Sequence, residues 1–485
     1  MLRPPIRTIT LAVVALGAIQ SRDPASAERP LRAVGVAEID ITPSFPVRLR
    51  GYSGRNDESG GVSQRLRAKA MAIGGNEEQG PAVLVTFDNC VVPDVLVREL
   101  AARLKKKSGL PRERLTVAAT HSHNAPILSG MSETLYVHPL PKAQAGRIDR
   151  YTRELVDKLE KVATEALAKR RPAALSWATT RAAFAHNRRT RDGPVDHDLP
   201  VMVARSADGT VAAVWTSYAC HCTTLTHNRI SGDWAGYAME KIQEAFPGAV
   251  ALVSAGCGGD QNPNRAGAKE PEEQDAMASR HGGEIAAAIS ALLKGEVAGE
   301  GADEDGRRKA NPPSLRPIDG VLETRLRWID LPLAKLPTRQ EWAERARSSE
   351  GAGTAGYHAR VQLERLDRGE KLATRVPYPV QTWNFGNSLA IIFLGGEAVV
   401  DYSRRLKREF DRERVWINAY ANDVACYIPS ERVLKEGGYE GGGAMIFHDW
   451  PAPFAPGLEQ LIVDEVRRQV PADLLRPGQR ETPAP

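Results

Sequence analysis

Cysteine and aromatic residues are scarce in this 485-residue chain: five cysteines, and 6% Phe, Trp and Tyr. The cysteines (Cys90, Cys220, Cys222, Cys257, Cys426) include no C-x-x-C pair, which speaks against a structural zinc knuckle. An odd count leaves at least one thiol unpaired and rules out a disulfide scaffold, so small buried filler is the default reading. Cys220-x-Cys222 flanks His221, and a Cys/His metal site stays open there. Beyond the first 20 residues no apolar run is long enough to cross a bilayer. No basic run is interleaved with aromatics, and a net charge of +5 is mild for this length, so nucleic acid is not an expected partner. Internal repeats are also missing.

What is present begins at the amino terminus. "MLRPPIRTITLAVVALGAIQ" has a short basic start and an apolar run, followed by "ASA" at Ala25–Ala27 as a small-residue cleavage site. That is the pattern of a secretory signal peptide over residues 1–27, and it predicts a secreted or periplasmic protein. Its removal takes away three Arg and one Asp, and the net charge falls to +3.

Six segments share one design, a short apolar run ending in a polar or Gly-rich turn: 81–89, 114–123, 211–222, 248–264, 388–397 and 414–427. Such runs read as strands buried on both faces. Helical patterns lie between them at 95–109, 150–170, 235–246, 272–294 and 398–410. Strands alternating with helices predict an α/β fold: a mixed sheet core with flanking helices and the active site at strand carboxyl ends. Asp88, His121, His123, His221, Asp260, Glu397 and Tyr427 all stand at such ends, which suggests one shared crevice. Residues 295–317 read as an exposed loop, 338–372 as a peripheral helical hairpin, and the "RPGQRETPAP" tail as disordered.

"LTVAATHSHNAP" (115–126) carries the sharpest local signal. In an extended segment His121 and His123 point the same way and can reach one ion. They can equally be two hydrogen-bonded loop histidines. A hydrolytic zinc centre draws about three protein ligands from His and carboxylate, and His121, His221 and Glu397 offer that chemistry. Spacing alone does not select these three.

Taken together, "GVAEIDITP…VRLRGYSGR" (35–55), "ATHSHNAP", "HNRR" (186–189), "SYACHCTTL" (217–225) and "SGDWAGYA" (231–238) resemble the neutral/alkaline non-lysosomal ceramidases. "GCGGDQNPN" (256–264), "FLGGEAVV" (393–400) and "YANDVACYIPSERVLKEGGYEGG" (420–442) continue the resemblance in order. It implies a zinc-dependent amidohydrolase cleaving the N-acyl bond of ceramide or a related lipid, with one catalytic Zn2+. By the same resemblance His121, His221, Glu397 and Tyr427 match the metal ligands. His123 and Tyr439 match groups near the metal-activated water and the substrate amide, and Arg188 matches a substrate-contacting arginine. Plain alternatives stand beside these roles: a helix cap for Glu397, core packing for Tyr427, orientation of neighbours for His123 and Tyr439, and solvation for Arg188. His227 reads as a loop residue.

One position departs from the family. Its "GDVSPN" segment carries a serine tied to activity, whereas here "GDQNPN" places Asn262 there. An amide can hold an oxyanion but cannot act as a nucleophile. The metal chemistry survives that change more readily than the choice of substrate does. The expected organisation is a leader (1–27) and one catalytic domain (28–485), without the family's C-terminal immunoglobulin-like domain. Expected partners are a small-molecule lipid or other N-acyl substrate and a peripheral membrane surface. Room remains for a structural Ca2+ or Mg2+. Two rivals are kept: a non-catalytic lipid- or carbohydrate-binding member of the same fold, and a metal-dependent amidohydrolase barrel, which needs a later lysine or carboxylate bridge, two further strand-end histidines and a final aspartate, and of these only His221 is convincingly placed.

Overall fold

The computed structural model describes residues 30–75, 79–131, 133–135, 139–296, 313–348 and 353–478. The leader, the tail from residue 479 and most of the 295–317 loop lie outside the described residues. The β-branched runs form the strands expected of them. β1 (Leu31–Asp40), β2 (Arg67–Ile73), β3 (Ala82–Phe87), β4 (Leu115–Ala119) and β5 (Arg171–Arg181) make half of a large mixed sheet. After the short β6 (Ala185–Asn187), β7 (Asp198–Ser206), β8 (Val211–Tyr218) and β9 (Val250–Ala255) complete its order, β4-β3-β2-β1-β5-β7-β8-β9. β10 (Gln261–Pro263) pairs with β6, and β11 (Arg316–Pro317) pairs with β5. A second sheet has the order β12 (Leu322–Pro332), β13 (Arg375–Phe385), β14 (Leu389–Leu394) and β16 (Val415–Asn418). The two-residue β15 (Glu397–Ala398) and β17 (Tyr427–Ile428) pair in parallel beside it.

Among the described residues nine α-helices accompany the strands: α1 (Asp94–Ser108), α2 (Lys142–Ala168), α3 (Asp233–Ala245), α4 (Pro271–Lys294), α5 (Arg339–Arg347), α6 (Thr354–Asp367), α7 (Val400–Glu409), α8 (Glu431–Glu436) and α9 (Leu458–Gln469). α5 and α6 are the expected hairpin. The two sheets face one another over an apolar layer. Met71, Leu84, Trp177, Trp215 and Leu252 from the large sheet meet Trp383, Ile391, Phe393 and Trp416 from the small one. Alternate side chains such as Val83, Val85, Ile392 and Leu394 turn outward under helices, so β3, β4 and β14 are buried on both faces.

Besides the short β15/β17, three described strand pairs are parallel, β3/β4, β8/β9 and β14/β16. Each needs a crossover, and each is bridged by a helix: α1, α3 and α7. The turns leaving β4, β8 and β14 carry His121, His221 and Glu397. Three βαβ units therefore deliver one group each to a common place at the strand carboxyl ends.

Candidate metal centre and its cavity

His121 leaves β4 in a left-handed conformation (φ +65°), uncommon for a residue with a Cβ. The strain is held by neighbours: Ser122 and Cys222 form a parallel bridge, and the His123 amide donates to the Cys222 carbonyl (3.2 Å). The His121/His123 loop is thus locked to the loop that carries His221. The Glu397 amide donates to the Cys426 carbonyl (2.9 Å), which sets Glu397 beside Tyr427. Gly396 makes this turn feasible. It has φ +64°, and a Cβ there would lie 2.8 Å from the Cys426 oxygen and 2.5 Å from Ile428.

The donors converge. Glu397 Oε2 is 3.3 Å from His121 Nε2 and 3.4 Å from His221 Nε2. Tyr427 Oη is 3.1 Å from His221 Nε2, and His123 Nε2 is 3.1 Å from His121 Nε2. Ligands about 2.0–2.2 Å from a zinc ion at tetrahedral corners lie roughly 3.3–3.5 Å apart, so the set has the right size. The tautomers also fit. His121 Nδ1 must donate to the Cys90 carbonyl (2.6 Å), and His221 Nδ1 to the Gly258 carbonyl (2.7 Å). Both Nε2 lone pairs are then free to face the centre, the backbone acting as the orienting outer shell. Cys90, His121 and His123 form a second metal-capable group. There the Cys90 thiol lies on the Nδ1 side of His121, at 3.8 Å, where the proton is already committed. Among the described residues no separate carboxylate cluster offers a structural Ca2+ or Mg2+ site.

Burial governs the electrostatics. It raises the cost of an ionised Glu397, but the adjacent histidines outweigh that cost and hold its pKa well below the usual range. Burial likewise opposes charge on His121, yet Glu397 and Cys90 bring it up to about 10. His221, desolvated and beside Arg188 and His121, drops to about 4. His123, desolvated among the same histidines, is held well below 6.5. A carboxylate this buried needs a cation facing it, and a proton on His121 or a divalent metal answers that need.

The cavity in front of this cluster has a volume of about 350 Å3 and is lined by residues including Arg50, Tyr52, Cys90, His123, Glu397, Tyr427, Tyr439 and His448. Tyr439 stands at its mouth, 44% exposed, with its ring 5.2 Å from that of Tyr427. Partial burial and the Glu397 charge push its pKa up to about 12, so the phenol is neutral. Arg188 donates to Glu440 (Nε–Oε1 2.7 Å) and has Nη1 3.2 Å from His221 Nε2, its guanidinium lying 5.4 Å from the Tyr427 ring.

Seven of the eight site residues expected from the sequence thus meet: His121, His123, His221, Glu397, Tyr427, Tyr439 and Arg188. Asn262 lies in β10 opposite His186, half-buried, with its Oδ1 buried and without a hydrogen-bond partner, one residue beyond the Gln261 carbonyl that His221 Nδ1 approaches at 3.1 Å. Asp88 and Asp260 leave the expected crevice. Asp88 accepts from the Arg67 amide (2.8 Å) and Thr120, while Asp260 accepts from the Val400 amide (2.9 Å) and Asn187, tying strand ends together. All five cysteines are buried and unbridged. Arg50, Tyr52, Tyr420 and His448 escaped sequence reasoning. Tyr420, the first residue of the "YANDVACY" segment, packs on His121 with ring centroids 4.3 Å apart.

Residues 33–310, more than half the chain, match a family model described as neutral/alkaline non-lysosomal ceramidase, N-terminal. A solved structure of neutral ceramidase from Pseudomonas aeruginosa superposes with a TM-score of 0.64 at 19% identity, covering 92% of this chain and 75% of that one. A ceramidase complexed with C2 gives 0.64 at 18%, covering 92% and 76%. At these identities the likeness is one of fold. Neutral ceramidase 2 of Arabidopsis thaliana is 30% identical over 97 residues, a stretch that spans 19% of this chain and 12% of that relative.

Proposed function

The chain belongs to the neutral/alkaline non-lysosomal ceramidase family, and from that premise we propose that it hydrolyses the N-acyl bond of ceramide or a related N-acyl lipid with the help of zinc. His121, His221, Glu397 and Tyr427 would hold the ion. The observation that carries the reading is the convergence of their donor atoms at 3.1–3.4 Å, with both histidine Nδ1 atoms committed to backbone carbonyls. Zinc in such a setting lowers the pKa of water towards neutrality and polarises a carbonyl. His123, kept neutral by burial, is suited to hold a proton of the attacking water through Nε2. Tyr439, a neutral phenol at the mouth, is suited to donate to the carbonyl oxygen as its charge develops. Arg188, fixed by Glu440, keeps Tyr427 and His221 in register and presents positive charge to the substrate side.

We further propose that residues 28–485 act as one exported catalytic unit after loss of the leader, which amino-terminal sequencing of the mature protein tests. No described helix is long and apolar enough to cross a membrane. The functional reading is tested with His121→Ala, which should lose zinc and amide hydrolysis together while the far-ultraviolet circular dichroism is kept. Full zinc occupancy in that variant would sink the ligand set.

A further inference from the structure

Arg50 is 4% exposed and lines the cavity, yet its Nη1 is buried with no hydrogen-bond partner. Among the described residues no carboxylate lies within ion-pair distance of it. Its neighbours differ. Arg188 and Arg189 share Glu440 at 2.7 and 2.6 Å. Arg55 is spent on the His123 carbonyl, Asn124 Oδ1 (3.1 Å) and the His227 carbonyl (2.8 Å). The Arg50 backbone is fixed as well, its amide donating to the Ala125 carbonyl (3.0 Å) just beyond the His121/His123 loop. A desolvated guanidinium without a counter-charge is costly, and such groups persist where a ligand supplies the missing acceptor. Arginine also presents a planar fork that fits a carboxylate or a phosphate.

We propose that Arg50 is a receptor for an anionic group on the amine half of the substrate, so that this site favours N-acyl compounds bearing a carboxylate or phosphate there over neutral ones. The inference rests on the hydrolase reading for its substrate and deepens it. The fatty-acid carboxylate released by hydrolysis is the other source of such an anion. It forms at the scissile carbon, in front of His121, His221 and Glu397. The two ligands compared below share the acyl group and differ only on the amine half, and so separate the two sources.

The test compares N-hexanoylglycine with its neutral isostere N-hexanoylglycinamide, on the full chain and on Arg50→Gln and Arg50→Met. Binding is read by calorimetry with chelator present, and hydrolysis separately with zinc. The wild type should bind the carboxylate about 10- to 100-fold more tightly, as hydrogen bonds to a charged partner imply. Both variants should bring the two affinities within about threefold by weakening the carboxylate ligand. Equal affinities in the wild type, or a preference that survives in the variants, overturns the proposal. So does an equal loss for both ligands, which would place Arg50 on the common amide or the acyl product. Should both variants fail to fold, the wild-type ratio and its decline with added salt decide alone. If neither compound nor a short-chain ceramide is cleaved but the binding ratio holds, the hydrolase reading fails and the anion receptor stands. Equal binding with equal cleavage gives the reverse.

Discussion

Gly51 offers a way to move one wall of the cavity without touching a metal donor. It has φ +114°, and a Cβ built on it lies 2.5 Å from His123 Nδ1 and 2.6 Å from His123 Cβ. Ordinary contact is near 3.5–4 Å, so in Gly51→Ala the His123 ring or the 50–55 loop must shift by about 1 Å. The ring gives first, because the His123 backbone is bonded to Cys222 and Arg55. A displacement of about 1 Å costs on the order of 10²-fold in turnover. The stability loss should be about 2–5 kcal/mol, from left-handed strain and overpacking together. Gly61→Ala is the control: its φ is +134°, and nothing lies within 4 Å of the added Cβ. It carries the strain without the clash. Urea denaturation, zinc analysis and kcat/KM on both variants separate the two effects. Gly51→Ala should keep near-stoichiometric zinc and lose turnover, while Gly61→Ala keeps both. A fully active Gly51→Ala would refute the role given to His123.

Glu397→Gln should weaken zinc binding by about 10²- to 10⁴-fold, since breaking a buried charge pair costs about 3–5 kcal/mol; competition with a fluorescent chelator measures it, and an unchanged Kd would exclude Glu397 as a ligand. Asn262→Ala should lower turnover by on the order of 10²-fold, since its amide stands one residue beyond the Gln261 carbonyl that His221 Nδ1 approaches at 3.1 Å; unchanged turnover in steady-state assays would remove it from the active site. His358 is held down to about 4 by burial and then by Arg365 and Arg345. Its native ring is neutral while the unfolded ring titrates near 6.5, so its stability contribution is present above 6.5 and is lost as pH falls towards 4. Thermal melting of His358→Gln should therefore show a shallower decline over that window than the wild type, and parallel curves would contradict the assignment.

The parts of the fold legible in the sequence were those with uniform patterning. β3, β4, β9 and β14 are short apolar runs between turn residues, and their burial on both faces follows from composition alone. β12 was hidden because its run "LETRLRWIDLP" alternates polar and apolar residues at the open edge of the small sheet, among charges that read as surface. The 414–427 run read as one strand, but it breaks after Asn418, where Tyr420 and Asn422 adopt positive φ and fold the chain back toward His121. His121, His221 and Glu397 were reached through motif order and not through spacing, because contact between residues 276 positions apart has no local signature. Arg50 enters the cavity from far along the loop that follows β1, and His448 from a loop beyond α8, so strand-end reasoning passes over them.

The central claim is a catalytic zinc ion in front of His121, His221, Glu397 and Tyr427. Its most direct test is elemental analysis of the purified protein beside release of fatty acid from a short-chain fluorescent ceramide, before chelation, after it, and after zinc is restored. The account predicts about one zinc per chain and cleavage that disappears with the metal and returns with it. Undiminished cleavage by protein stripped below a tenth of that zinc content would contradict it.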